Sequence, residues 1–195
     1  METRPSCEKE HDFALVLSGV SELTSEIMDA LYEAGCDDAT PSLRFGRLHL
    51  TFSRIAPTLK DAILSAIQDV RKTKIDGGSI RIDDCNLVTP SEIGRRIGRS
   101  RELVRQYITG KRGPGGFPPP TCQITDGKPL WAWCEVASWL RQNDMIREQD
   151  AIEANDVRLI NLILECQREA TLAPGVFDEF IEALGSMPSV QRNHS

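Results

Sequence analysis

The residues best suited to ligand recognition lie close together between Arg95 and Arg112. Arginine can bind guanine bidentately, glutamine can bind adenine in the same way, and glutamate can accept a hydrogen bond from cytosine. The candidate base-reading residues are Arg101, Glu102, Arg105 and Gln106. Cationic and hydroxyl side chains beside them are suited to phosphate oxygens, which set the register of a complex without reading sequence. The candidate phosphate contacts are Arg95, Arg96, Arg99, Ser100, Lys111 and Arg112.

Two short helices are predicted to position these side chains. Thr89 is suited to cap the first helix, Pro90 suits its first position, and Glu92 is expected to complete a capping box with Thr89. Gly98 can adopt the left-handed conformation of a tight turn, after which Ser100 can cap the second helix. The pattern predicts a helix-turn-helix.

The second helix is predicted to have one apolar and one polar face. Val104, Tyr107 and Ile108 are spaced i, i+3, i+4, so they form an apolar stripe that packs inward. At 100° per residue the opposite face carries Glu102, Arg105, Gln106 and Thr109. The alternative is a helical hairpin whose charged face is merely solvated.

The charge of this segment differs in sign from that of the whole chain. The 195 residues carry a net charge of −6, yet residues 89–112 contain seven basic and two acidic residues, a net charge of +5. The remainder carries 16 basic and 27 acidic residues, a net charge of −11. A basic patch on an acidic background is typical of a specific DNA-binding protein that avoids indiscriminate association.

The segment that follows the second helix is predicted to begin a wing. Residues 110–120 are dominated by glycine and proline, are basic at their start and cannot be helical. Trp131 and Trp133 come next, and the i, i+3, i+4 spacing of Val136, Trp139 and Leu140 predicts a helix that packs back onto the hairpin.

In this order, the segments resemble the winged helix-turn-helix of the MerR superfamily, most closely its phage excisionase or AlpA-like branch. The matching positions, roughly a quarter of the chain, are Ser91–Ile93, Gly98, residues 100–107, Phe117–Pro118, Pro120, Trp131, Trp133, Glu135–Val136 and Trp139–Leu140. The sequence departs at Gly94, where alanine is usual, and at Arg99, where an apolar residue is usual. The resemblance implies that the second helix enters the major groove and that the wing contacts DNA beside it.

The flanking segments complete a predicted α+β fold of three units. Residues 12–84 are predicted to form a βαβαβ unit with a small, partly parallel sheet and right-handed crossovers, which dimerises, binds a partner or senses a ligand. Residues 88–141 are the predicted winged helix-turn-helix. Residues 145–185 are predicted to form two helices. These helices are acidic, because from Gln142 onward there are four basic and ten acidic residues.

The longer of these two helices is predicted to run from about 149 to 170. It is apolar on more than one side between Val157 and Leu164, so most of its circumference must be buried. Two partners stay open for it, namely a second copy of the chain or the chain's own N-terminal unit.

Catalysis and metal or cofactor binding are not predicted. The adjacent carboxylates Asp37 and Asp38 are interpreted as a turn at a helix end, because no clustered histidine, lysine or nucleophile accompanies them. The six cysteines contain no CxxC pair and the three histidines are distant in sequence, so free thiols are favoured over a zinc site. No signal peptide or membrane span is predicted, so a cytoplasmic protein is expected.

These patterns favour a transcriptional regulator of a bacterium or phage that binds double-stranded DNA as a homodimer. Two recognition helices in successive major grooves would require an inverted repeat as the target. One alternative is an antitoxin or adaptor whose acidic helices bind a protein partner. An enzyme housed in residues 12–84 is the other alternative.

Overall fold

The fold is seen in a computed structural model that describes residues 8–73, 75, 78–125 and 127–185. Strands within these ranges are β1 (Lys9–Leu17), β2 (Ala39–Arg44), β3 (Arg47–Ala56), β4 (Ile80–Ile82), β5 (Leu87–Val88) and β6 (Trp131–Ala132). Helices are α1 (Ser25–Glu33), α2 (Leu59–Lys72), α3 (Pro90–Arg96), α4 (Arg101–Ile108), α5 (Trp133–Gln142), α6 (Glu148–Leu172) and α7 (Pro174–Leu184). The protein is therefore a mixed α/β structure.

The first four strands form one antiparallel sheet in the order β2-β3-β1-β4. β1 pairs with β3 along its length, with Lys9 opposite Ala56 and Leu17 opposite Leu48. β4 pairs with the other edge of β1, and β2 forms a hairpin with β3. This is the connectivity of a split β-α-β unit, in which another strand lies between the two strands that a helix joins.

The predicted βαβαβ order and partly parallel sheet are therefore wrong. The prediction omits β2, whose sequence ATPSLR contains Pro41 and lacks an alternating apolar pattern. Proline is tolerated there because β2 is an edge strand. The hairpin of β2 with β3 reverses the chain, so β3 runs antiparallel to β1.

One face of this sheet carries the first hydrophobic core. Leu15 of β1 and Leu48, Leu50 and Phe52 of β3 are completely buried there. Three helices cover these side chains, through Leu31 of α1, through Ile63, Ala66, Ile67 and Val70 of α2, and through Val157, Ile160 and Leu164 of α6. On the opposite face Thr51, Ser53 and Ile55 are exposed, which is the alternation expected of an antiparallel sheet packed on one side.

A buried arginine joins three elements at the edge of this core. The Nε and Nη2 atoms of Arg54 donate to the Asp38 carboxylate at 2.7 and 2.9 Å, and Nη1 donates to Asp69 at 2.8 Å. Nη2 also donates to the carbonyl oxygen of Gly35 at 2.8 Å. Asp37 and Asp38 lie in a turn after α1, as interpreted from the sequence. The Asp38 carboxylate forms an ion pair with Arg54.

α6 packs within its own chain, which is one of the two arrangements left open by the sequence. Its Asn161 amide accepts from the backbone nitrogen of Ile82 at 2.8 Å and donates to the backbone oxygens of Ile82 and Asp84 at 3.2 Å. The other side of α6 leaves Leu159, Leu162 and Ile163 exposed. The helix therefore covers the first core and still presents an apolar surface.

A second core lies between α3, α4, α5 and the β5–β6 pair. Its buried members are Val88, Ile93, Val104, Trp131, Val136, Trp139 and Leu140. The predicted inward stripe of α4 is confirmed, since Val104 is buried and Tyr107 and Ile108 pack against the cluster. Every helix in the described ranges is too short or too polar to span a lipid bilayer.

Candidate nucleic-acid interface

Side-chain caps begin α3 and α4 at the predicted residues. The Thr89 hydroxyl accepts from the backbone nitrogen of Glu92 at 3.2 Å, and Pro90 occupies the first turn. The Ser100 hydroxyl accepts from the backbone nitrogen of Leu103 at 3.2 Å. Between the helices Gly98 adopts a φ of +63°, the left-handed conformation expected of it. The two helices and their turn are therefore specified by local interactions.

The capping box predicted for α3 forms only in part. Thr89 caps the backbone as expected, but the Glu92 carboxylate turns away from it and accepts from Arg95 and Arg96. The reason is electrostatic, because a carboxylate gains more from two guanidinium groups than from one backbone N–H.

Gly94 allows the two helices to approach closely. A Cβ atom placed on Gly94 would lie 2.6 Å from the carbonyl oxygen of Arg99 and 3.3 Å from the nitrogen of Arg101. The backbone nitrogen of Arg99 also donates to the Gly94 carbonyl at 2.7 Å. A residue without a Cβ is therefore required at this position, because the turn before α4 passes directly over α3.

The predicted base-reading residues share the outer surface of α4. Arg101, Glu102 and Arg105 are exposed, whereas Gln106 is half-buried. The side chain of Arg105 is 67% exposed, and its Nη1 lies 3.7 Å from the Glu102 carboxylate. A contact this open to solvent contributes little to stability, so both groups can exchange it for a ligand.

The predicted phosphate contacts flank α4, and most of them are exposed. Arg99, Lys111 and Arg112 are exposed and form no ion pair with a described residue. Arg95 is also exposed but is engaged bidentately by Glu92. The Ser100 hydroxyl accepts one hydrogen bond as the cap of α4, and its O–H is still available to donate to a phosphate.

Arg96 occupies a different environment from its neighbours. Only 14% of its side chain is exposed, and its guanidinium donates to Asp84, Glu92 and the carbonyl oxygen of Cys85. The guanidinium carbon also lies 5.0 Å from the ring centroid of Trp133 at the start of α5. Arg96 therefore fastens α3 to the segment between β4 and β5 and to α5, a role that sequence reasoning missed.

The segment after α4 packs against Trp139 of α5 through a backbone carbonyl and an aromatic ring. The Trp139 indole donates to the Gly115 carbonyl at 2.9 Å, and the ring of Phe117 packs edge-on against Trp139 at 4.9 Å. A short hairpin follows, in which Cys122 pairs with Leu130. Ile124 and Lys128, which lie between these paired residues in the sequence, are exposed.

The Glu92 carboxylate makes the helix pair sensitive to acid. Hydrogen bonds from Arg95, and next from Arg96, lower the pKa of Glu92 from an ordinary value of 4.5 to about 2. A carboxylate with a lowered pKa stabilises the folded state above its unfolded pKa and loses this contribution as pH falls through its folded pKa. We therefore expect the melting temperature of the wild-type protein to exceed that of Glu92→Gln at neutral pH, and the difference to shrink between pH 4.5 and 2.

Melting curves from pH 7 to pH 2 measure this difference. Glu179→Gln removes an equal charge from α7, where the carboxylate accepts no hydrogen bond from a described residue. A constant difference between wild type and Glu92→Gln across the whole range would show that the ion pairs contribute nothing.

Searches against known protein families, curated proteins and solved structures found no match for this chain. What the helix pair does is therefore inferred from its own residues.

Proposed function

We propose that this chain is a sequence-specific DNA-binding protein of the winged helix-turn-helix type that regulates transcription in a bacterium or phage. The observation that carries the proposal is the outer surface of α4. Arg101, Glu102 and Arg105 are exposed there, while Val104 on the opposite side is buried against α3 and α5. A capped helix fixed from behind, with guanidinium and carboxylate groups in front, suits insertion into a major groove.

The surroundings of α4 provide the other contacts of such a complex. Arg99 precedes the helix and Lys111 and Arg112 follow it, so cationic side chains are available at both ends for phosphates on either side of the groove. In this proposal the hairpin in which Cys122 pairs with Leu130, with Ile124 and Lys128 exposed, takes the part of the wing. Arg96 holds the unit together in this proposal, and Arg95 becomes free for phosphate when Glu92 releases it.

A homodimer would present two copies of α4 to an inverted repeat. The exposed apolar side of α6, with Leu159, Leu162 and Ile163, supports self-association, because contiguous exposed apolar surface marks an interaction site. Half-sites separated by one helical turn would place the two helices on the same side of the DNA.

Fluorescence anisotropy with the DNA upstream of the coding sequence, compared with a scrambled duplex over a salt series, tests the proposal directly. We expect a preference of about 10³-fold or more for the upstream duplex, with log affinity falling linearly with log salt concentration. Weak binding that is equal for the two duplexes would contradict sequence recognition if selection from a randomised pool of duplexes also yields no sequence that binds more tightly.

Arg105→Ala is expected to weaken binding to the preferred site by about 1–3 kcal/mol and to relax the preference at one base pair. Arg99→Ala is expected instead to weaken preferred and scrambled duplexes equally and to reduce the salt slope by about 1, because a phosphate contact carries no sequence information. Arg141→Ala removes the same charge from an exposed position on α5 and serves as the control. Unchanged affinity and preference in Arg105→Ala would rule out the proposed base-reading surface.

The acidic C-terminal helices favour a second candidate function, that of an antitoxin or adaptor that binds a basic protein. Val176, Phe180 and Leu184 of α7 are exposed, with Asp178, Glu179 and Glu182 among them. Apolar anchors surrounded by carboxylates suit a partner with complementary charge. Co-purification of one stoichiometric protein that is lost in Phe180→Ser would support this second function. If that partner leaves DNA binding unaffected, the partner-binding function is separate from the DNA-binding function.

A further inference from the structure

A polar cavity of about 190 Å³ lies where the sheet of the N-terminal unit meets α6. Three of its lining residues are arginines from three different elements, namely Arg47 at the start of β3, Arg81 in β4 and Arg168 in α6. Among the described residues of the lining Glu165 is the only acidic one, so these residues carry a net charge of +2. We infer that this cavity is a binding site for a compact polyanion, a small molecule that carries phosphate or several carboxylate groups.

Strand register brings the polar groups of the cavity together. Leu17 of β1 is opposite both Leu48 of β3 and Ile80 of β4, so Ser18 at the end of β1 lies between the beginnings of those two strands. The hydroxyl groups of Ser18 and Ser79 are 2.8 Å apart and both residues line the cavity. One of these hydroxyls donates to the other, so one O–H remains to donate to an anion beside the arginines.

The arginines of this cavity are poorly neutralised by the protein. Arg47 and Arg81 form no ion pair with a described residue, and Arg168 is 3.1 Å from Glu169, a pair that is about half exposed. The guanidinium groups of Arg47 and Arg81 are therefore available to a bound anion.

The chemistry and size of the cavity define the class of ligand. Guanidinium groups bind phosphate and carboxylate oxygens through paired, charge-assisted hydrogen bonds. Drug-sized ligands occupy sites of roughly 300–1,000 Å³, so the smaller cavity fits a compact molecule. None of the lining residues belongs to the proposed DNA-binding surface, so the inference goes beyond the proposed function and does not depend on it.

Titration of the full-length protein with inorganic pyrophosphate and, separately, with citrate tests the site by two-dimensional ¹H–¹⁵N NMR at constant ionic strength in sodium chloride. We expect saturable shifts of the Ser18, Ser79 and Arg81 amide signals with at least one of the two anions. The double variant Arg47→Gln/Arg81→Gln should raise the half-saturating concentration about tenfold or more, since the loss of even one charge-assisted hydrogen bond costs about one power of ten in affinity. The anion that binds more tightly distinguishes a phosphorylated ligand from a polycarboxylate.

Arg44→Gln is the matched control, because it removes the same charge from the same hairpin but from outside the lining of the cavity. It should change the half-saturating concentration less than about twofold, since an exposed charge that does not touch the ligand acts only through screened solvent. An equal loss in Arg44→Gln would show diffuse attraction and overturn the site. Shifts confined to residues 95–112, or the same half-saturating concentration in the double variant, would overturn it as well. The absence of any saturable shift would also overturn the anion site, whatever the outcome of the DNA-binding experiment.

Discussion

Arg54→Ala is expected to lower the free energy of unfolding by about 3–5 kcal/mol, because it leaves two carboxylates without their buried partner. The Arg54 side chain is only 10% exposed, and it links Asp38 after α1 to Asp69 on α2. Its loss also removes the donor to the Gly35 carbonyl. Urea unfolding at pH 7 measures the change, and Arg44→Ala, an exposed arginine of β2, is the control.

The deficit of Arg54→Ala should become smaller in acid. Burial alone would raise the pKa of Asp69, but hydrogen bonds from Lys72 and Arg54 outweigh it and hold the pKa below its ordinary value. In the wild type this carboxylate stabilises the fold above its unfolded pKa, and the contribution is lost as pH falls through the folded pKa. Without Arg54 the Asp69 carboxylate is protonated more readily, so the variant loses less stability on acidification. A deficit below 1 kcal/mol at pH 7 would show that the network adds no stability.

Gly94→Ala is expected to destabilise the protein by about 1–3 kcal/mol, although alanine is the better helix former by about 1 kcal/mol. The new Cβ would meet the Arg99 carbonyl oxygen at 2.6 Å, and that atom belongs to a backbone turn that cannot move aside like a flexible side chain. The turn also positions Ser100 and therefore the start of α4. DNA affinity should fall together with the melting temperature.

Gly175→Ala provides the matched control for this substitution. Gly175 also lies in a helix, α7, but a Cβ atom placed there meets no atom within 4 Å. This variant should gain up to about 1 kcal/mol of stability from helix propensity. Gly94→Ala at wild-type stability would mean that the turn relaxes away from α3 without cost.

Much of the helix pair was predictable from the sequence because its signals are local. Thr89 and Ser100 cap backbone groups three residues away, Gly98 needs only its own freedom to adopt a positive φ, and Val104 is buried where helical periodicity placed it. Interactions of this kind require no knowledge of distant segments.

The environment of Arg96 was not predictable in the same way. Its neighbours Arg95 and Arg99 are exposed, and all three looked equivalent as candidates for phosphate contacts. Asp84 and Trp133 are distant from one another in sequence, and only the fold brings both to this guanidinium. Charge and spacing therefore identified the basic segment but could not assign a separate role to each arginine.

The sequence by itself determined the caps of α3 and α4, the buried face of α4 and the position of the basic segment. Tertiary structure decided the antiparallel strand order, the packing of α6 on the sheet and the meeting of Arg47, Arg81 and Arg168. The physical reason is how far apart in the sequence the interacting residues lie. Caps and periodicity act between residues a few positions apart, whereas strand order depends on a weakly marked hairpin such as β2–β3 and on which distant surfaces bury each other best.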